Sequence, residues 1–166
     1  MTYRILTVCT GNICRSPMAQ LILQRAVDDA GLEDVEVRSA GTTGWEEGEP
    51  IDPRAAAMLT AHGIDSRGHV AHQMTRSQLE QADLILLADH DHLGPVERLG
   101  GRTVAPKVRM LRSFDPDAGD DLGIRDPWYG DDSDFEATYD MLVAAVPGVI
   151  DHVRSDLAGR TDLPRP

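Results

Sequence analysis

Aromatic side chains, cysteines and positive charges are all scarce in this chain of 166 residues. Phe, Trp and Tyr together make up 4% of it, so an aromatic residue in a loop stands out. Two cysteines are too few for a disulfide scaffold and fit a reducing compartment better. No apolar run approaches the roughly 20 residues of a membrane span, and the N-terminal stretch lacks the apolar region of a secretion signal. A cytoplasmic protein is therefore expected. Acidic residues outnumber basic ones by 28 to 16, a net charge of −12, which argues against nucleic acid or an anionic membrane as a main partner. There is no internal repeat, Ser/Gly linker or composition break. With 41% apolar residues the chain can bury one sizeable core, so 1–158 reads as a single domain, and the polar, Pro-rich tail 159–166 is expected to fray.

What the chain does carry is concentrated in Cys9-Thr10-Gly11-Asn12-Ile13-Cys14-Arg15. The apolar, β-branched run Arg4-Ile5-Leu6-Thr7-Val8 reads as a buried strand, and Ser16-Pro17 is a helix-opening pair. Strand, tight loop and helix N-terminus in that order let successive backbone N–H groups curl inward, with the positive end of the helix macrodipole behind them. Such a loop binds an oxyanion without a metal. Arg15 adds a planar fork that grips two oxygens of a phosphate. Gly11 permits a positive φ or a close backbone approach, and Asn12 tolerates the left-handed region. The same amides, helix end and guanidinium favour the thiolate of Cys9, with the Ser16 hydroxyl as a further donor to sulfur. A thiolate facing a phosphate in its own loop is arranged for in-line attack and a phosphocysteine intermediate. Cys14, the other cysteine, sits beside the nucleophile, where a disulfide would reversibly silence it.

The rest of the chain reads as alternating strands and helices. Ala19, Leu23, Ala26, Val27 and Ala30 form a helical stripe ending at Gly31, and Val35 to Ala40 a second strand. Asp52-Pro53 opens a helix ending near Gly63, and Thr75 with Gln78 forms a capping box. Ala82 to Ala88 reads as a buried parallel strand and Thr103 to Val108 as a weaker fourth. Ser133 with Glu136 reads as a second capping box, heading a helix with Pro147 as an expected kink. The fold class is α/β, a doubly wound parallel sheet with helices on both faces and the site at the carboxyl end of the first strand. Asp89-His90-Asp91-His92 reads as a solvated helix cap rather than a metal site, and His62 and His72 as ordinary loop or surface residues. Lys107, Arg109, Arg112 and Arg125 are candidates for local attraction of an anion.

Val8 to Pro17 resembles the phosphate-binding loop of the low-molecular-weight protein tyrosine phosphatases. Ser39-Ala40-Gly41-Thr42, Trp45, Pro50 to Pro53, His62-Gly63-Ile64, His69-Val70-Ala71 and Asp126-Pro127-Trp128-Tyr129-Gly130 resemble further landmarks of that family in order. The resemblance spans Tyr3 to about Val153 and implies a four-stranded sheet in the order 2-1-3-4. It implies Cys9 as nucleophile, Arg15 as phosphate clamp and Asp126 as the acid that protonates the leaving oxygen. It also implies a cradle formed by Thr10 to Cys14, support of Asn12 by Ser39 and His69, and thiolate stabilisation by Ser16. Trp45, Trp128 and Tyr129 are implied as walls around a phenyl ring, which suits phosphotyrosine in proteins or peptides. Ile13 resembles the tyrosine-directed members, whereas those acting on phosphoarginine carry threonine there. A cognate tyrosine kinase, a monomer and no metal or cofactor are expected. Related thiol-dependent arsenate reductases share the loop but need a resolving cysteine downstream, and no cysteine follows Cys14.

Overall fold

The apolar run ahead of Cys9 forms the central strand. In β1 (Tyr3–Cys9) only Arg4 is exposed, and a strand apolar on both faces requires helices above and below it. The computed structural model describes residues 1–161. Around β1 lie β2 (Val35–Gly41), β3 (Leu84–Leu87) and β4 (Val108–Met110), all parallel, in the order β2-β1-β3-β4. This is the expected doubly wound sheet.

Side chains alternate between two packed layers, as the pleat dictates. Tyr3, Ile5, Val35, Val37, Leu84 and Leu86 face α1 (Arg15–Asp29), α2 (Pro53–Ala61) and α5 (Asp132–Thr161). Leu6, Val8, Ala40, Ile85 and Leu87 face α3 (Arg76–Gln81) and α4 (Leu93–Gly100). Each such Leu or Ile contributes about 1.5–3 kcal/mol by leaving water, so the layers fix where the strand ends lie. Cys9 pairs in register with Gly41, and Val8 with Leu87, which gathers three loops at one edge of the sheet.

Local chemistry starts the helices largely where the sequence places them. Asp52 accepts from the Arg54 N–H at the start of α2, and Thr75 and Gln78 form the expected reciprocal box on α3. Three expectations are corrected. The fourth strand is Val108–Met110, because Ala105–Lys107 is a 3₁₀ turn whose Pro106 lacks a ladder N–H. Helix α5 is capped from Asp131, not Ser133. The Asp131 carboxylate accepts from the Ser133 N–H at 2.9 Å, and Asp134 accepts from the Asp131 N–H at 2.8 Å. The helix continues across Pro147 and through Thr161, so residues 159–161 are helical, and the rest of the expected tail lies outside the described residues. Among the described residues no helix is long and apolar enough to cross a membrane.

Candidate active site

Cys9 ends β1, Arg15 begins α1, and the loop between them turns on Asn12. Asn12 has φ 60°, the left-handed region, and is the only non-glycine residue there among the described residues. That conformation costs about 1–2 kcal/mol and is held by a saturated polar side chain. Asn12 Nδ2 donates to Ser16 Oγ at 2.8 Å and Ser39 Oγ at 2.9 Å, while Oδ1 accepts from the His72 N–H at 3.1 Å. The Asn12 carbonyl accepts from His69 Nε2 at 2.7 Å, and burial pushes the His69 imidazole down, keeping it a neutral donor. Among the described residues, the amides of Gly11, Asn12, Ile13 and Cys14 donate to no protein acceptor. First-turn acids and a side-chain cap are also missing from the start of α1. Four open N–H groups beside a bare helix N-terminus form a cradle for an oxyanion.

Two serine hydroxyls hold the Asn12 side chain, and one of them meets the sulfur. Ser39 donates its hydroxyl proton to Gln20 Oε1 at 2.6 Å and therefore accepts from Asn12. Ser16 also accepts from Asn12 and lies 2.9 Å from Cys9 Sγ, to which it is the donor whenever the sulfur carries no proton. The sulfur thus faces a hydroxyl at hydrogen-bond distance.

Arg15 is 4% exposed, and its desolvation is offset by a ring of acceptors. Nη1 donates to the Ile124 carbonyl at 3.0 Å, Nη2 lies 3.3 Å from Asp126 Oδ2, and Asp89 Oδ2 stands 4.0 Å away. The buried Nε has no partner, an unspent donor that an oxyanion can take. Asp126 accepts from the Trp128 N–H at 3.1 Å, capping the 3₁₀ turn Pro127–Tyr129. Arg54 couples this acid loop to the cradle. Its guanidinium pairs with Asp52 and reaches the carbonyls of Trp128 and Gly130 at 3.3–3.4 Å, while the Asp52 N–H donates to the Ile13 carbonyl at 2.9 Å.

Cys9, Thr10, Gly11, Ile13, Cys14, Arg15, Trp45, Asp126, Trp128 and Tyr129 line one cavity of about 170 Å³, with Asn12, Ser16, Ser39 and His69 behind it. Trp45 and Tyr129 are 81% and 76% exposed, and Trp128 and Tyr129 meet edge to face at 5.0 Å. The aromatic rim therefore stands free of the core. Cys9 and Cys14 are both free thiols. Burial, with the charges of Asp52 and Asp126, pushes the Cys14 thiol well up, so it is protonated and packs in the core beside Cys9.

Several functional neighbours escape sequence reasoning. His92 is buried against the loop, not part of a solvated cap, because the 3₁₀ turn His90–His92 folds its ring back onto Asp89. His72 supplies the amide that holds Asn12, and His62 stacks on Tyr139 with ring centroids 3.8 Å apart. Glu46 joins the rim. Lys107 and Arg109 are tied to carbonyls near β4, and Arg112 braces the loop carbonyls of Ala118, Asp121 and Gly123. Of the four expected cations only Arg125 borders the site. The Asp52–Arg54 pair carries a partial signal in its Asp-Pro-Arg cap, but nothing local points its guanidinium at residues 128 and 130.

The likeness to known proteins runs the length of this arrangement. A family model described as "Low molecular weight phosphotyrosine protein phosphatase" matches residues 4–158. The chain is 47% identical over 163 residues to the low molecular weight protein-tyrosine-phosphatase of Streptomyces coelicolor, covering 96% of this chain and 99% of that protein. Among solved structures, YfkJ from Bacillus subtilis superposes with a TM-score of 0.86 at 27% identity, covering 94% of this chain and 97% of that one. YwlE of the same organism, described as an arginine phosphatase, gives 0.82 at 31% over 92% and 97%. Agreement across both sequence and fold at this extent leaves one assignment: the chain belongs to the low molecular weight phosphotyrosine protein phosphatase family.

Proposed function

We propose that this protein hydrolyses phosphotyrosine in proteins or peptides through a phosphocysteine intermediate. The observation that carries the reading is the Ser16 hydroxyl, 2.9 Å from Cys9 Sγ, at the base of a loop whose amides are unspent. The phosphoryl oxygens sit on those amides and on Arg15. Cys9 attacks phosphorus in line with the departing phenolic oxygen, a P–S bond forms as the P–O bond breaks, and Asp126 gives its proton to the phenolate. Asp126 then takes a proton from water as that water attacks phosphorus, releasing inorganic phosphate and the Cys9 thiolate, which Ser16 stabilises. Asn12, Ser39 and His69 hold the loop in its strained turn. Trp45, Trp128 and Tyr129 flank the phenyl ring, and the depth of the cavity excludes shorter phosphoserine.

YwlE is described as an arginine phosphatase, and that reading is weighed by Ile13, the residue typical of tyrosine-directed relatives. Arsenate reduction lacks its resolving thiol, since no cysteine follows Cys14. Opposition to a tyrosine kinase in the cytoplasm, where thiols stay reduced, is the setting that suits two free cysteines. The test is hydrolysis of p-nitrophenyl phosphate and of phosphotyrosine and phosphoarginine peptides by the parent and by Cys9→Ser. Tyrosine-selective release of phosphate, absent in Cys9→Ser, is expected. Preference for phosphoarginine, or activity that survives Cys9→Ser, overturns the reading.

A further inference from the structure

Beside the cradle lies a histidine that the reaction above leaves unused. His92 is 2% exposed, and a buried imidazole is retained only where its two nitrogens are satisfied. Its Nδ1 accepts the Asp89 N–H at 3.0 Å, so the ring proton resides on Nε2. Nε2 stands 3.0 Å from Thr10 Oγ1 and donates to it. The same hydroxyl oxygen accepts from Arg15 Nη2 at 3.4 Å. A hydroxyl has two acceptor sites, and both are thereby occupied by N–H groups. Thr10 cannot swing its proton onto the imidazole, and its oxygen stays turned toward the guanidinium. Burial and the nearby Arg15 charge push His92 down to about 4, so the neutral donor persists at neutral pH and adds no second cation beside Arg15.

We propose that His92 is a positioning residue for the phosphate clamp: through Thr10 Oγ1 it holds Nη2 of Arg15 in place against the carboxylates of Asp126 and Asp89. The need is visible in the geometry. Asp126 lies 3.3 Å from Nη2 and Asp89 4.0 Å from Nη1, and an unrestrained fork would close onto its own acid rather than face a phosphate. Thr10 offers Nη2 a neutral acceptor on the cradle side, and His92 fixes the orientation of that acceptor. The inference rests on Arg15 as the phosphate-binding group.

A double-mutant cycle on the full chain tests it, using His92→Leu, Thr10→Val and both together. The measurements are kcat and KM for p-nitrophenyl phosphate and the inhibition constant of inorganic phosphate. Each single change is expected to lower kcat/KM about tenfold and to weaken phosphate inhibition several-fold, and the double variant to be no worse than the poorer single one. Thr10→Ser keeps the oxygen and is expected to bind inorganic phosphate several-fold more tightly than Thr10→Val. Effects that multiply to about a hundredfold in the double variant, or His92→Leu with unchanged phosphate inhibition, overturn the proposal and leave His92 a packing residue. If His92→Leu does not fold, Thr10→Val against Thr10→Ser decides alone: equal phosphate inhibition in the two refutes the relay. A parent that hydrolyses no phosphate ester would refute the catalytic reading instead, so the two failures are separable.

Discussion

Asn12 offers the sharpest test of how this loop is held, because its backbone strain and its side-chain bonds can be removed separately. In Asn12→Ala the φ of 60° persists without compensation, and three side-chain bonds are lost, to Ser16, Ser39 and the His72 N–H. At about 1 kcal/mol per bond, the bonds account for a destabilisation of roughly 3 kcal/mol. Ser16 and Ser39 keep a second partner each, in Cys9 and Gln20, which stops the loss from growing much larger. Asn12→Gly loses the same bonds but relieves about 1–2 kcal/mol of left-handed strain. Against that relief stands glycine's extra unfolded-state entropy of roughly 0.5–1 kcal/mol. The glycine variant should therefore be more stable than the alanine variant by about 0.5–1 kcal/mol. A domain of this length shifts its Tm by about 2–4 °C per kcal/mol, so Asn12→Ala should melt roughly 6–12 °C below the parent and Asn12→Gly a few degrees above the alanine variant. Both variants free the Ser16 hydroxyl from its lock and should lose about tenfold in kcat. Calorimetry with parallel p-nitrophenyl phosphate assays checks both parts. Alanine and glycine variants each within 1 °C of the parent, or glycine the less stable of the two, would refute the reasoning.

The buried His92 links stability to pH. Its ordinary value of 6.5 falls to about 4 in the folded state, so between those limits the unfolded chain binds more protons and stability drops as pH is lowered, by about 3 kcal/mol in all. His69, also pushed down, acts in the same direction. Urea titrations from pH 7 to 4 should show this slope in the parent and a shallower one in His92→Gln, whereas parallel slopes would discount the buried imidazole. Gly41 pairs with Cys9, and a Cβ there would lie 2.6 Å from the Thr10 carbonyl oxygen. Gly41→Ala should then cost about 1–3 kcal/mol and at least tenfold in kcat/KM by displacing the cradle, and a fully active variant would contradict the close approach. Arg54→Met releases the acid loop from the cradle, so it should slow aryl phosphates with poor leaving groups more than those with good ones, as steady-state kinetics across a leaving-group series would show. Equal slowing across the series would assign Arg54 to general stability.

Sequence alone determined the features that depend on local order. A strand, a five-residue loop and a helix start in immediate succession leave little choice of geometry, so Cys9 and Arg15 were bound to converge on one small anion. The same holds for the alternation of apolar segments, which dictated the doubly wound sheet, and for the box at Thr75 and Gln78, whose partners are three residues apart. Tertiary structure decided whatever depends on partners distant along the chain. That Asn12 is bound by Ser39 and His72, that Arg54 reaches across 74 residues to Trp128, and that His92 meets Thr10 across 82 follow from parallel strands ending together at one sheet edge. In Asp89-His90-Asp91-His92 the cap reading holds for Asp89, which accepts from the His90 N–H, and His90 and Asp91 are exposed; composition misled only at His92, because burial is a property of what packs over a residue. Charges such as Lys107 and Arg112 were likewise placed by composition near an anion, while the fold spends them on carbonyls that its short loops leave unpaired.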